Sequence, residues 1–403
     1  MRMPPSPSRR AALLVLAATA AIAMPTRAQR VDTTAARTLA PGVTYRRVTD
    51  PAGPWVIHVV RVDLRRSDLT LRHARALDSL RGRERTSEMV RRATAGGATV
   101  LAAVNADFFD LKSGENENNQ VIAGEWWKGV KVTDSPYDTY DNTHAQLALD
   151  SARRPSIERY QFDGRFWARG GMTPILTLNA LPSGTYEGTA LFTPRFGATT
   201  ARDTTKQTAE APLVVAGRRG DTVLFVRRGA ATSSSGSAIP RDGAVLAGYG
   251  SRTGGIRALA EGDTVRVLLA TLPRSTGRAS PALLIGGWPR IVHEGRSVAA
   301  DAAVVEGTIS RNAEVRHPRT SVGFSRDRRS LILVVVDGRS TTSVGMTLVE
   351  LAERLRRLGA WEALNFDGGG STTMVIDGAV VNTPSDSTGE RAVGNALLLL
   401  RTR

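Results

Sequence analysis

A mostly apolar run, residues 361–366, gives way at once to a carboxylate, three glycines and three hydroxyls: Asp367, Gly368, Gly369, Gly370, Ser371, Thr372 and Thr373. Glycine lacks the Cβ that closes off much of backbone conformational space, so three in succession suit a tight turn or a close approach to another group. Main-chain N–H groups in such a turn can point at an anion, and Asp367 adds a charge or a base. An ordinary turn between two strands uses the same residues, and a glycine motif alone does not separate the two readings.

The flanking pattern narrows the fold. Residues 331–336 form an apolar strand that ends in Asp337-Gly338-Arg339. Thr347 and Glu350 have the spacing of a capping box. Leu348, Leu351, Ala352, Leu355 and Leu358 then recur at helical spacing until Gly359 stops the helix. Residues 363–366 are the next strand, 374–381 a hairpin turning on Asp377-Gly378, and 396–400 a closing strand. Upstream, residues 56–64 read as a strand and 86–95 as a short helix. A buried strand over 98–104 delivers Asn105-Ala106-Asp107-Phe108-Phe109. The middle, residues 145–305, holds short apolar runs punctuated by Gly-Asp or Asp-Gly and is β-rich. Strand–helix–strand predicts a parallel pair with a right-handed crossover, and the hairpins add antiparallel pairs. The expectation is an α+β fold, a mixed parallel and antiparallel sheet with packed helices in a single compact domain.

Arg9 and Arg10 precede an apolar stretch, residues 11–24, and small residues follow around Thr26-Arg27-Ala28. This predicts a signal peptide over residues 1–28, a flexible lead-in over 29–42 and a folded unit over 43–403. The stretch is too short for a comfortable membrane span, and no later segment is longer, so no span is expected after signal cleavage. The expected location is periplasmic or extracellular. Ser8-Arg9-Arg10 leaves the export route open between the general and twin-arginine systems. The chain has no cysteine, which excludes disulfides, thiolate metal sites and cysteine nucleophiles. Its 403 residues are enough for a large core without disulfides. The formal charge is +16, of which Arg2, Arg9, Arg10 and Arg27 belong to the predicted signal. Arginines are scattered, with no long basic run and no nucleic-acid-binding motif, so no nucleic-acid partner is expected. An anionic glycan suits the charge better.

Three acidic motifs lie just past apolar strands: Asn105 with Asp107, Asp337, and Asp367 with Gly368, Gly369, Gly370, Ser371 and Thr372. Side-by-side parallel strands would gather them in one cleft at their carboxyl ends. Arg319 follows Pro318, and a guanidinium suits a bidentate grip on phosphate. Arg391 is a candidate second arginine. His317, one of five histidines, has a structural reading beside a binding one.

Taken together, the segments resemble the phosphodiester glycosidase family. Those that carry the likeness are Pro318-Arg319-Thr320-Ser321-Val322-Gly323, Leu333-Val334-Val335-Val336-Asp337-Gly338-Arg339, Gly345-Met346-Thr347-Leu348, Leu358-Gly359-Ala360, Asn365-Phe366-Asp367-Gly368-Gly369-Gly370-Ser371-Thr372 and Arg391-Ala392-Val393-Gly394-Asn395. Val104-Asn105-Ala106-Asp107-Phe108-Phe109 and Ile285-Gly286-Gly287-Trp288-Pro289 extend it upstream. Ala106-Asp107 stands where the family has a glycine pair, and Phe366 where leucine is commoner. The resemblance covers residues 43–400 and implies hydrolysis of a sugar-1-phosphodiester at the sugar C–O bond. It implies catalytic roles for Asp367 or Asp337 with Arg319. Substrate contacts would come from Asn105, Asp107, Gly368, Gly369, Gly370, Ser371, Thr372, Arg391 and His317.

No cofactor is required by the sequence, although a structural Ca2+ is compatible with clustered aspartates. Two other readings use the same residues: a metal-dependent phosphodiesterase, and a non-catalytic binder of cell-surface or exopolysaccharide glycans. The sequence does not reveal the oligomeric state.

Overall fold

A computed structural model describes residue 1 and residues 32–133, 143–182, 187–274, 280–307 and 313–402. The predicted signal peptide lies outside the described residues apart from Met1.

The protein is mostly β, with 45% of the described residues in strands and 12% helical. This corrects the α+β expectation. The two longest described helices, Thr86–Ala95 and Leu348–Arg357, have ten residues each, and large sheets make most of the fold.

A nine-stranded sheet runs through Val43–Asp50, Trp55–Asp63, Ser330–Val336, Arg319–Phe324, Glu362–Asn365 and Arg290–His293 in that spatial order. Every pairing among these strands is antiparallel. The expected parallel pair is therefore absent as a pair. Ser330–Val336 and Glu362–Asn365 do point the same way, but Arg319–Phe324 lies between them and bonds to both. The helix Leu348–Arg357 crosses over this intervening strand.

A five-stranded sheet holds Ala379–Val380, Met374–Ile376, Thr99–Asn105, Asn395–Arg401 and Leu69–Arg75. Alternation along the strands sets how the two sheets meet. Val322, Leu331, Leu333, Val335 and Leu364 face Leu101, Val104, Met374, Leu397 and Leu399 across a common apolar core. The opposite residues, Ile332, Val334 and Val336, pack against Leu348, Leu351, Ala352 and Leu355 of the second helix. Met89 and Val90 of the first helix cover Ala103, Val375 and Leu398 on the far side of the five-stranded sheet. The layers thus run helix, sheet, sheet, helix. Strands buried on both faces explain why 331–336 is apolar at every position.

The β-rich middle forms a thirteen-stranded sheet with its own core around Phe162, Phe166, Leu213, Leu246 and Val265. Gly220 and Asp221 turn the Thr208–Arg219 strand into Thr222–Arg227, as their spacing predicts.

Candidate active site

The Glu362–Asn365 strand lies between two partners and ends where the two packed sheets meet. The chain that leaves it is stapled on both sides. Asp367 N–H donates to the Ala106 carbonyl at 2.7 Å, and Asn105 Nδ2 donates to the Asp367 carbonyl at 2.7 Å. Asn105 Oδ1 accepts from Thr320 Oγ1 at 2.7 Å and from Thr373 N–H at 3.0 Å. One buried amide therefore ties the five-stranded sheet, the nine-stranded sheet and the glycine turn together.

Residues 369–371 form a single 3-10 turn, with Gly369 at φ 59. Its N–H donates to the Pro318 carbonyl at 2.9 Å. A Cβ on Gly368 would stand 2.7 Å from that same carbonyl oxygen, so the position needs glycine. The turn thus lies against the Pro318-Arg319 segment.

Beside it is a cavity of about 210 Å³. Asp367, residues 368–370 and Asn365 line one side, and His317, Arg319, Arg339 and Arg391 supply a basic wall. Phe108 and Trp288, edge to face with centroids 5.7 Å apart, supply an apolar one. Asn365 Nδ2 donates to the Trp288 carbonyl at 2.7 Å, which fixes the Trp288-Pro289 loop against the strand. Asn365 Oδ1 and His317 Nδ1 are buried without a hydrogen-bond partner among the described residues.

The electrostatics divide the residues by role. Burial pushes the Asp367 carboxyl up to about 6, against the opposing pull of Ser371 and Arg391. Burial, with Arg339 nearby, lowers Arg319 to about 10, which leaves it charged at neutral pH. Arg319 Nε donates to the Met346 carbonyl at 2.8 Å and Nη2 to Val315 at 2.9 Å, so this guanidinium also anchors the wall it belongs to. Arg391 is held by Asp386, Nε at 2.7 Å and Nη2 at 2.6 Å. Burial and the neighbouring Arg319 and Arg339 lower His317 below the ordinary histidine value, so it is neutral at pH 7.

The other candidates lie outside the cavity lining. Asp337 is buried one layer down, where Oδ1 accepts from Thr383 N–H at 3.0 Å and Oδ2 stands 3.5 Å from His58 Nε2. Asp107 is 1% exposed; its Oδ1 accepts from Asn118 Nδ2 at 2.6 Å. Burial raises its carboxyl to about 7. Ser371 and Thr372 are buried, and the Ser371 hydroxyl reaches both the Asp367 carboxylate and Arg391 Nη1, the latter at 3.5 Å. The structure adds Asn365, Trp288, Phe108 and Arg339 to the site. All four sit inside motifs visible in the sequence, but side-chain direction decided their roles. Among the described residues, no group of three or more histidine, aspartate or glutamate side chains is placed to hold a metal ion.

Residues 213–400 match the phosphodiester glycosidase family. Over that segment, a little under half of the chain, the chain resembles this family. The matched segment contains the basic wall, Asp367 and the glycine turn, whereas Phe108 lies ahead of it. A mouse protein named N-acetylglucosamine-1-phosphodiester alpha-N-acetylglucosaminidase is 32% identical over 167 residues, 40% of this chain and 30% of its own length. The chain spans less than a third of the curated relatives it matches. Two solved structures share the fold. A Synechocystis protein superposes with a TM-score of 0.71 at 21% identity, covering 93% of this chain and 64% of its own. A Burkholderia pseudomallei protein, described as exported, gives 0.66 at 24% identity, covering 88% and 76%.

Proposed function

We propose that the protein hydrolyses glycosyl-1-phosphodiesters at the sugar C–O bond, releasing free sugar and a phosphomonoester. The observation that carries this reading is one small cavity in which Asp367 stands beside the guanidinium wall and faces an aromatic pair. The sugar lies against Phe108 and Trp288, and its phosphate toward Arg319 and Arg391. Ionised Asp367 takes a proton from a water molecule, whose oxygen forms the new bond to the anomeric carbon. The bond from that carbon to the bridging oxygen breaks, and its electron pair stays on the phosphate, which passes from one negative charge toward two. Arg319 and Arg391 favour that increase, which is the differential stabilisation a catalyst requires. Asp367 then returns its proton to solvent. Asn365 Oδ1 accepts from a sugar hydroxyl. The reading requires no cofactor.

We also propose residues 43–403 as the catalytic unit and export as the fate of the chain. The apolar stretch with its paired arginines and the Burkholderia relative support export. No described helix is long and apolar enough to cross a membrane.

Hydrolysis of a defined glycosyl phosphodiester in 18O-water tests the bond assignment. Label in the released sugar is the expected result. Label in the phosphate would place the cleavage at P–O and overturn it.

A further inference from the structure

Charge is not balanced evenly around the cavity. Arg391 is matched by Asp386, and Arg319 is built into the wall through the carbonyls of Met346 and Val315. Arg339 differs from both. It is exposed, it lines the same cavity, and its hydrogen-bond partner among the described residues is Ser385 Oγ at 3.5 Å, a distance at the limit of hydrogen bonding. Among the described residues no carboxylate pairs with it.

Its backbone is also unusual. Arg339 has φ 60, in the left-handed region, where a side chain with a Cβ costs roughly 1 kcal/mol relative to glycine. A strained residue at a site mouth is a reason to ask what the strain positions. Here it aims the guanidinium over the glycine turn: a Cβ placed on Gly369 would be 3.0 Å from Arg339 Nη2. A Cβ on the neighbouring Gly370 would instead meet the Arg391 guanidinium. Arg339 and Arg391 therefore flank consecutive residues, whose Cα atoms are about 3.8 Å apart. Two cations so placed suit two linked anions better than one phosphodiester, which carries a single charge.

We propose that Arg339 reads a second anionic group on the aglycone side of the scissile phosphodiester, so that the substrate class is a glycosyl phosphodiester whose leaving group is itself an anion. This rests on the glycosidase reading above. A second phosphate or a carboxylate on the aglycone supplies the chemistry, and an exposed guanidinium at the rim accepts either. Because Arg339 is solvated, it acts through binding and through screening by salt more than through the bond-breaking step.

The test uses purified full-length protein and three substrates with the same sugar: a phosphodiester to a neutral alkyl alcohol, a diphosphate to the same alcohol, and a phosphodiester to a carboxylate-bearing alcohol. The expected wild-type result is a kcat/KM at least about tenfold higher on one of the anionic pair than on the neutral aglycone, carried mainly by KM. Arg339→Gln should bring that ratio close to one, and Arg339→Lys should restore part of it. The preference should shrink as NaCl is raised. The two anionic substrates distinguish phosphate from carboxylate as the group recognised. A wild-type ratio near one, or a ratio untouched by Arg339→Gln, overturns the inference while leaving the glycosidase reading intact. If none of the three is hydrolysed, it is the glycosidase reading that fails.

Discussion

At the scale of single residues, the proposed reaction puts its catalytic weight on Asp367. Its carboxyl is raised to about 6 because burial disfavours the charged form more than Ser371 and Arg391 favour it. A general base works ionised, so kcat/KM should climb with pH through an acid limb near 6, measured as a pH–rate profile. Asp367→Asn should lower kcat by about 10² to 10⁴-fold and remove that limb. Asp337 is a useful contrast. Both carboxylates follow an apolar strand, yet Asp337 spends its oxygens on Thr383 and His58 below the cavity floor. Its replacement should show as a lower melting temperature.

At the scale of elements, the glycine turn and the second helix give separable outcomes. In Gly368→Ala the new methyl meets the Pro318 carbonyl at 2.7 Å, and main chain cannot step aside cheaply. In Gly370→Ala it meets the guanidinium of Arg391, the mobile end of a long side chain. Turnover assays should therefore find Gly368→Ala the more damaging of the two, with Gly370→Ala lowering kcat through the displaced Arg391. The capping box is real: Thr347 Oγ1 accepts from Glu350 N–H at 3.1 Å, and Glu350 Oε2 accepts from Thr347 N–H at 2.9 Å. Thr347→Ala should cost about 1 kcal/mol, seen as a drop of about 2 °C in thermal melts. These local features were legible in the sequence because cap, helix spacing and Asp-Gly hairpin are encoded within a few residues. Fold class was not. Whether Ser330–Val336 and Glu362–Asn365 touch depends on a third strand, Arg319–Phe324, and no local pattern says that it sits between them. The same limit applies to the site. The motifs holding Arg319, Asp367 and Arg391 were readable, but Asn105 became a tie between sheets and Arg339 a cavity residue through contacts distant in the chain.

At the scale of the whole molecule, charge governs behaviour. A formal charge of +16 and a basic cavity should attract an anionic substrate, so KM should rise severalfold between about 0.05 M and about 0.5 M NaCl, with a smaller change in kcat. Stability should carry a second signature. Asp107 is buried with its carboxyl raised to about 7, so the folded state holds its proton longer than the unfolded chain does. That contribution is complete below the ordinary carboxylate value and is lost as pH rises through 7, on the order of 4 kcal/mol for this one group. Melting temperature should decline from pH 5 to 8, and Asp107→Asn should flatten the slope.

The amide of Asn105 holds both halves of the sandwich and the reacting loop at once. Such wiring leaves no half-melted form that still turns over. Heat inactivation and cooperative denaturation should coincide on a temperature ramp, with no lag during which either survives the other.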